Sequence, residues 1–398
     1  MKIGIISLYF QPILPGYGNR IPYTTAHELT KLNHNVFVYT SKIPKKIINE
    51  NITTNDQNEK SIEIKRLWIP DIDHKNNFNR FIINSIFFLQ CFFRILFIKK
   101  LDSVMCFVPY LPFFSLVLLP SKIRKIKSFI VQADLWPEVL KELEVVKNDF
   151  AYSVISKICF WTFRLSDCIF ALTPELKQAL VHHKIIPSKI IELEQAVDQS
   201  TFKPITQKKR TNEKFQVLYT GSFSPLYDFD IILESAKDLR NKNIEFILLG
   251  DGMLRPYLQS KIRKLNLANV KLEPPISDPK KLSKRINLSD VAVVPMKDRL
   301  QNNTTCANKI FEYLSCGKPI LASAKGSSRN LIVKAGGGLV VDIGDKSSFV
   351  KNLLKLYQDP ELLRDLGKKG RSYILSNHSM EVYGKKLEEI LIEIAKRD

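Results

Sequence analysis

The chain has 398 residues, more than one hydrophobic core usually serves, so two domains are expected. Hydrophobic residues make up 45% and charged residues 25%, a globular composition that excludes a disordered or collagen-like chain. The net charge of +20 points to anionic partners, namely phosphorylated substrates, anionic lipid headgroups or nucleic acid, beside the plainer alternative of a solvated lysine-rich surface. Nucleic acid is not expected, because no helix-turn-helix or aromatic-basic RNA motif is present. Cys91, Cys106, Cys159, Cys168, Cys306 and Cys316 form no CxxC pair and no zinc-spaced cluster with histidine. They read as small buried residues of a reducing compartment, and no metal or cofactor is expected.

From Met1 onward, short apolar runs alternate with segments of helical period, the pattern of parallel sheets flanked by helices. The first run is too short for a signal peptide and reads as a buried strand, which makes the cytoplasm the expected location. Strands are expected at residues 2–8, 36–40, 62–69, 103–108, 129–131 and 168–172, then at 216–220, 244–249, 270–273, 291–295, 319–322 and 339–341. The polar stretch around 204–213 reads as a linker between an N-terminal domain, 1–203, and a C-terminal domain, 214–376. The amphipathic segment 377–398 is expected to pack back on the first domain.

Residues 78–98, FNRFIINSIFFLQCFFRILFI, are apolar around most of a helix, interrupted by Asn84, Gln90 and Arg94 and closed by Lys99 and Lys100. A second apolar stretch, 107–119, is followed by Lys122, Arg124, Lys125 and Lys127. With its polar positions counted, the first stretch falls short of spanning a bilayer. Phenylalanines such as Phe87, Phe88, Phe92, Phe93, Phe113 and Phe114, beside these lysines and arginines, favour a helix lying on an anionic membrane surface over a plain core helix.

In sheets of this kind, ligands bind beyond the C-terminal ends of strands, where helix N-termini offer N–H groups to phosphates. Two strand-ending turns fit: Gly221 with Ser222, and Gly250 with Asp251, each of which is otherwise an ordinary turn. The strongest stretch runs from Thr304 to Ala322. A helix starting near Cys306 and capped by Gly317 carries Asn308, Lys309 and Glu312 near its start. Lys309 and Glu312 share one face, either as a solvated ion pair or with Lys309 on a diphosphate and Glu312 on a ribose diol. His27, in the first helix, reads as a surface histidine or an acceptor-side group, and Asp134, before Trp136, as a turn residue or an acceptor-side group.

The segment Phe311-Glu312-Tyr313-Leu314-Ser315-Cys316-Gly317-Lys318-Pro319-Ile320 resembles the E-x-x-x-x-G-x-P-[VI] signature of retaining family 4 glycosyltransferases. Other stations follow in that family's order: Gly16-Tyr17-Gly18, Leu32-Asn33-His34-Asn35-Val36, Ser166-Asp167-Cys168, Ala196-Val197-Asp198 and Gly336-Gly337-Gly338. The resemblance implies the α/β GT-B fold, two Rossmann-like domains facing across a cleft. It also implies metal-independent, retaining transfer of a sugar from a nucleoside diphosphate sugar to a glycan or lipid-linked acceptor, at the inner face of the cell membrane. The string Asp134-Leu135-Trp136-Pro137-Glu138 resembles a subgroup that uses N-acetylated hexosamine donors in lipid-linked glycan assembly, often with lysine where Lys309 stands.

Carried onto this chain, the resemblance implies donor binding by Gly16, Gly18, Gly221, Ser222, Gly250, Asp251, Ile276, Asn308, Lys309 and Glu312. It implies catalytic roles for Glu312, Lys309 and Asp134, and an acceptor side at His27, Asp134 and Trp136. The chain departs from the family at several places, with Gln195-Ala196 where Asn-Gly is usual and Ala133 near where a histidine of the catalytic region is usual. Thr304 stands where a first glutamate is usual, and Ser222 and Tyr227 stand where the donor-phosphate arginine and lysine are usual. Two rival readings stay open: a sugar-nucleotide epimerase on the same fold, and a catalytically silent subunit that binds a membrane partner.

Overall fold

Strands such as Lys2–Ile6 and Val291–Pro295 are apolar at consecutive rather than alternate positions, as burial on both faces requires. The computed structural model describes residues 1–10, 20–42, 62–72, 76–107, 110–142, 145–205 and 214–396. Most of the expected linker, 206–213, lies outside the described residues. Every strand pairing within the two sheets is parallel. One unit is Met1–Gln195 with Tyr383–Asp398, and the other is Ala196–Val382.

The first unit holds β1 (Lys2–Ile6), β2 (Asn35–Ser41), β3 (Ile62–Leu67), β4 (Ser103–Phe107), β5 (Lys127–Gln132), β6 (Cys168–Ala171) and β7 (Ile190–Glu192), in the order β3-β2-β1-β4-β5-β6-β7. Its helices are α1 (Arg20–Lys31), α2 (Asn77–Leu96), α3 (Leu111–Ile123), α4 (Glu138–Glu142), α5 (Asp149–Leu165) and α6 (Pro174–His182). The second holds β8 (Phe215–Ser222), β9 (Ile244–Asp251), β10 (Val270–Glu273), β11 (Val291–Pro295), β12 (Ile320–Ser323) and β13 (Gly338–Val341), in the order β10-β9-β8-β11-β12-β13. Around it lie α7 (Phe229–Asp238), α8 (Arg255–Lys264), α9 (Pro279–Leu288), α10 (Leu300–Thr304), α11 (Asn308–Ser315), α12 (Gly326–Lys334), α13 (Lys346–Gln358) and α14 (Pro360–Asn377). The last helix is α15 (Met380–Ala395). It meets α1 through Tyr383 Oη, 2.8 Å from Thr25 Oγ1, and meets the turn after α1 through Glu388, 3.3 Å from His34 Nε2.

Each strand order reverses once, between β1 and β4 and between β8 and β11, and such switch points are where open parallel sheets take ligands. Every expected strand is present. The short strand β7 was not expected, because its three residues, Ile190, Ile191 and Glu192, give too little pattern to separate from a turn.

Helix α2 is long and apolar enough to cross a membrane by length and composition alone, and one third of that stretch is buried. Its buried stripe is Ile83, Asn84, Phe87, Phe88, Cys91 and Ile95. Phe88 stacks on Phe113 of α3, with centroids 5.8 Å apart. Phe87, Phe88 and Phe114 are therefore core residues, a correction to their place among the surface aromatics. The exposed stripe is Phe78, Phe81, Leu89, Phe93 and Phe97. A second exposed apolar stripe, missed in the sequence, is Phe150, Val154, Ile158 and Trp161 on α5. Five cysteines are buried and Cys306 is half-buried, and none forms a disulfide.

Candidate functional site: the end of β8 and the first turns of α11

Strands β8 and β9 stay in register to their last residues, with Gly221 opposite Gly250 and Ser222 opposite Asp251. They approach more closely there than side chains permit: a Cβ on Gly250 would lie 1.8 Å from the Gly221 carbonyl oxygen. Gly221 itself has φ +123°, in the region that favours glycine, and a Cβ on it would meet Lys309 Nζ at 3.0 Å. After β8 the chain doubles back beside β11. Tyr227 bridges Met296, the Asp228 N–H donates to the Pro295 carbonyl (2.8 Å), and the Lys297 N–H donates to the Leu226 carbonyl (3.0 Å). These bonds hold Tyr227 at the switch point between β8 and β11.

Helix α11 begins at Asn308, two residues later than expected, after Ala307, which makes no side-chain cap. Lys309 and Tyr313 are four apart and share the face turned toward β8. Tyr313 Oη accepts from the Thr220 N–H (2.7 Å) and lies 2.9 Å from Thr220 Oγ1, pinning the strand end. One turn earlier, Lys309 Nζ stands 3.8 Å from the Tyr219 ring centroid and 4.0 Å from that of Tyr227. It is buried and has no hydrogen-bond partner among the described residues. Burial holds its amine pKa well below the usual lysine value. Two aromatic faces supply about 2 kcal/mol to a desolvated cation. Removing an ammonium from water costs several kcal/mol, so the rings offset only part of it.

Glu312, one turn on, is also buried. The two residues are therefore not the solvated ion pair that spacing alone allowed. Tyr227 stands where the resembled family carries a phosphate-binding lysine, yet an amine is present against its ring, delivered from α11 instead. No sequence signal links these residues, because the rings come from β8 and its loop.

The other expected donor residues are placed as follows. Ser222 and Asn308 are exposed, Ser222 at the end of β8 and Asn308 as the first residue of α11. Asp251 is exposed; its carboxylate accepts from the Gly252 N–H (2.9 Å) and lies 3.9 Å from Arg255. Ile276 is half-buried in the loop after β10. Thr304, at the place of the family's first glutamate, is buried, and its hydroxyl donates to the Leu300 carbonyl within α10 (3.0 Å). The structure thus brings together Gly221, Gly250 and Lys309 and sets Ser222, Asp251 and Asn308 at the ends of their elements. Among the described residues no group of three or more His, Cys, Asp or Glu side chains is placed to hold a metal.

In the first unit, Gly16 and Gly18 lie outside the described residues. His27 is half-buried against Tyr23, with centroids 4.5 Å apart, which corrects the surface reading. Asp134 and Trp136 lie in the turn after β5. Asp134 is half-buried and its carbonyl accepts from Gln132 Nε2. Trp136 is buried, and its indole N–H has no partner among the described residues. The same turn leads into Glu138, which lies 2.9 Å from His183 Nε2 and whose carboxyl pKa is raised by burial. This pair was not expected, since nothing local connects the two positions.

Residues 201–373 match the family model of glycosyl transferases, group 1. That match falls within the second unit. The chain is 25% identical over 156 residues to an uncharacterised glycosyltransferase of Methanocaldococcus jannaschii, covering 39% of this chain and 42% of that protein. It spans about half the length of the curated relatives it matches. Among solved structures, sucrose-phosphate synthase of Thermosynechococcus elongatus superposes with a TM-score of 0.77 at 16% identity, over 98% of each chain. An Anabaena protein, HepE, solved in complex with UDP-glucose, superposes at 0.72 with 12% identity, over 99% of this chain and 100% of that one. The fold is accordingly that of the GT-B glycosyltransferases, two parallel-sheet Rossmann-like domains.

Proposed function

We propose that this protein is a retaining glycosyltransferase that uses a nucleoside diphosphate sugar, with a UDP-linked N-acetylhexosamine favoured, and a lipid-linked or glycan acceptor. The observation that carries this reading is the Lys309 amine, buried against Tyr219 and Tyr227 beside Gly221 without a hydrogen-bond partner among the described residues. A donor diphosphate supplies the missing counter-charge, and the glycine leaves room for it to approach. Glu312 holds the ribose. The bond from the anomeric carbon to the diphosphate oxygen breaks as the acceptor oxygen forms its bond on the same face, and the acceptor proton passes to the departing diphosphate. Lys309 and the first N–H groups of α11 stabilise the charge that develops there, the electrostatic work a metal does in other transferases. The Asp134-Leu135-Trp136-Pro137-Glu138 string supports an N-acetylhexosamine, and a solved structural neighbour in complex with UDP-glucose supports the uridine.

A thermal-shift panel of UDP-, GDP- and ADP-sugars tests the donor, because a ligand that binds only the native state raises its midpoint. The expected result is stabilisation by the UDP-sugar, with turnover that survives EDTA. Turnover lost on chelation and restored by Mg²⁺ or Mn²⁺ would refute the metal-free part. Thr304, Ser222 and Tyr227, where the family's charged residues are usual, favour a second reading, a silent subunit. Donor binding with neither transfer nor hydrolysis would favour it.

In this reading the acceptor lies at an anionic membrane surface, and the protein is cytoplasmic and peripheral. The exposed stripes Phe78, Phe81, Leu89, Phe93 and Phe97 on α2, and Phe150, Val154, Ile158 and Trp161 on α5, support this, with Lys99 and Lys100 at one end of α2. Co-sedimentation with phosphatidylglycerol vesicles that weakens with salt is the expected result.

A further inference from the structure

A second place in the first unit joins charge and apolar surface, on a face of the sheet rather than beyond the strand ends that take substrates. A cavity of about 680 Å³ lies between the face of β1–β3 and the last turns of α2. Lys2 begins β1, and Lys99 and Lys100 lie between α2 and β4, so its lysine cluster lies at the N-terminal ends of the strands, while Tyr39 and Lys65 carry it along the sheet face to the level of Ile6. Substrates of parallel sheets bind beyond the C-terminal ends. Its cations are Lys2, Lys65, Arg94, Lys99 and Lys100, drawn from the sheet, the helix and the following turn. Lys65 is paired with Glu63 at 3.1 Å. The side chains of the other four form no ion pair among the described residues, although the Lys2 backbone N–H donates to the Asp102 carboxylate (2.7 Å). The helix C-terminus contributes roughly half a negative charge, which leaves the cavity strongly positive.

The rest of the lining is largely aromatic. Phe37 and Tyr39 stand on β2, with Lys65 Nζ 5.5 and 5.9 Å from their ring centroids. Phe93 and Phe97 form the α2 side; they are 51% and 76% exposed and continue the stripe that runs back through Leu89 to Phe81. Cations around an apolar floor that opens onto an exposed apolar stripe match a molecule with an anionic head and a hydrocarbon tail. A free phosphate would leave the aromatic wall unused, and a neutral lipid would leave the cations unpaired.

We propose that this cavity binds one anionic phospholipid of the membrane surface, its phosphate among Lys2, Lys65, Arg94, Lys99 and Lys100 and an acyl chain along Phe93 and Phe97. The proposal rests on the membrane-surface reading above and adds a discrete, saturable site to it. The site anchors the protein and is separate from the acceptor position.

The probe is dihexanoyl phosphatidylglycerol below its micellar concentration, titrated by calorimetry into the full chain. Dihexanoyl phosphatidylcholine and glycerol 3-phosphate serve as the neutral-head and tail-free comparisons. The expected result is saturable one-to-one binding of the anionic lipid, weakened about tenfold or more by Lys65→Gln with Arg94→Gln, as loss of two charge-assisted contacts implies. The equal charge change Lys385→Gln with Lys386→Gln, on the exposed side of α15, should leave it intact. Equal weakening by both pairs, or glycerol 3-phosphate binding as tightly as the lipid, would overturn the site. Wild-type protein that sediments with phosphatidylglycerol vesicles but shows no saturable binding of the monomeric lipid overturns the site and leaves the membrane reading standing. Failure in both assays removes both.

Discussion

Lys261 and Lys309 both lie against tyrosines in the second unit, and their surroundings differ in the one respect that separates a structural lysine from a candidate functional one. Lys261, on α8, lies 2.9 Å from Asp230 and 3.4 Å from Glu234, with the Tyr257 ring centroid 5.9 Å away. Partial burial disfavours its charge, but the Asp230 bond and charge outweigh that, and its pKa is raised. Lys309 has the rings without the carboxylates, and its pKa is lowered. An aromatic face accompanies a lysine amine in both places; only at Lys261 does the protein itself supply the anion. The difference points to a ligand as the missing partner at Lys309.

The comparison is most strongly tested at Gly221. Gly221→Ala places a methyl group against Lys309 Nζ in a backbone conformation that alanine adopts poorly. Donor affinity should fall by roughly a hundredfold, together with the thermal midpoint, and wild-type binding by this variant would remove the strand end from the site. Next, Lys309→Met should weaken UDP binding about ten- to hundredfold while leaving the midpoint unchanged or higher, because it removes a buried amine that lacks an anion. A large loss of stability with intact binding would make Lys309 a structural residue like Lys261.

The pH dependence follows from the lowered pKa. A diphosphate favours the charged amine, so binding takes up a proton wherever the free amine is neutral and the bound one charged. Donor affinity then falls as pH rises across that interval, by up to about tenfold per pH unit. Calorimetry in two buffers of different ionisation enthalpy measures the uptake, and none at any pH would show that Lys309 does not change protonation on binding. The smallest effect belongs to Lys261→Met. Both partners of its main pair are partly exposed, so about 1 kcal/mol or less of stability should be lost, with donor affinity unchanged.

Much of the fold was legible in the sequence because buried parallel strands are written as short, continuous apolar runs. The run Val291-Ala292-Val293-Val294-Pro295 needs no distant partner to be read. Strand β7 has no such run, and it is defined only by pairing with β6. The division of α2 into a buried and an exposed stripe likewise depended on its neighbours: Phe87 and Phe88 are chemically the same as Phe93 and Phe97, and packing alone separates them. At the site, sequence marked Gly221, Gly250, Lys309 and Glu312 as candidates; in the first unit, the Glu138–His183 pair left no local signal.

By itself, then, the sequence determined the alternation of strands and helices, the two parallel sheets and the glycine-ended strands, because these follow from the local order of apolar residues and turns. Tertiary structure alone decided the state of Lys309. The rings of Tyr219 and Tyr227 reach it only when β8 pairs with β9 and β11 and Tyr313 of α11 bonds to Thr220. Burial and electrostatic environment are properties of what surrounds a side chain in space, and spacing along a helix does not contain them.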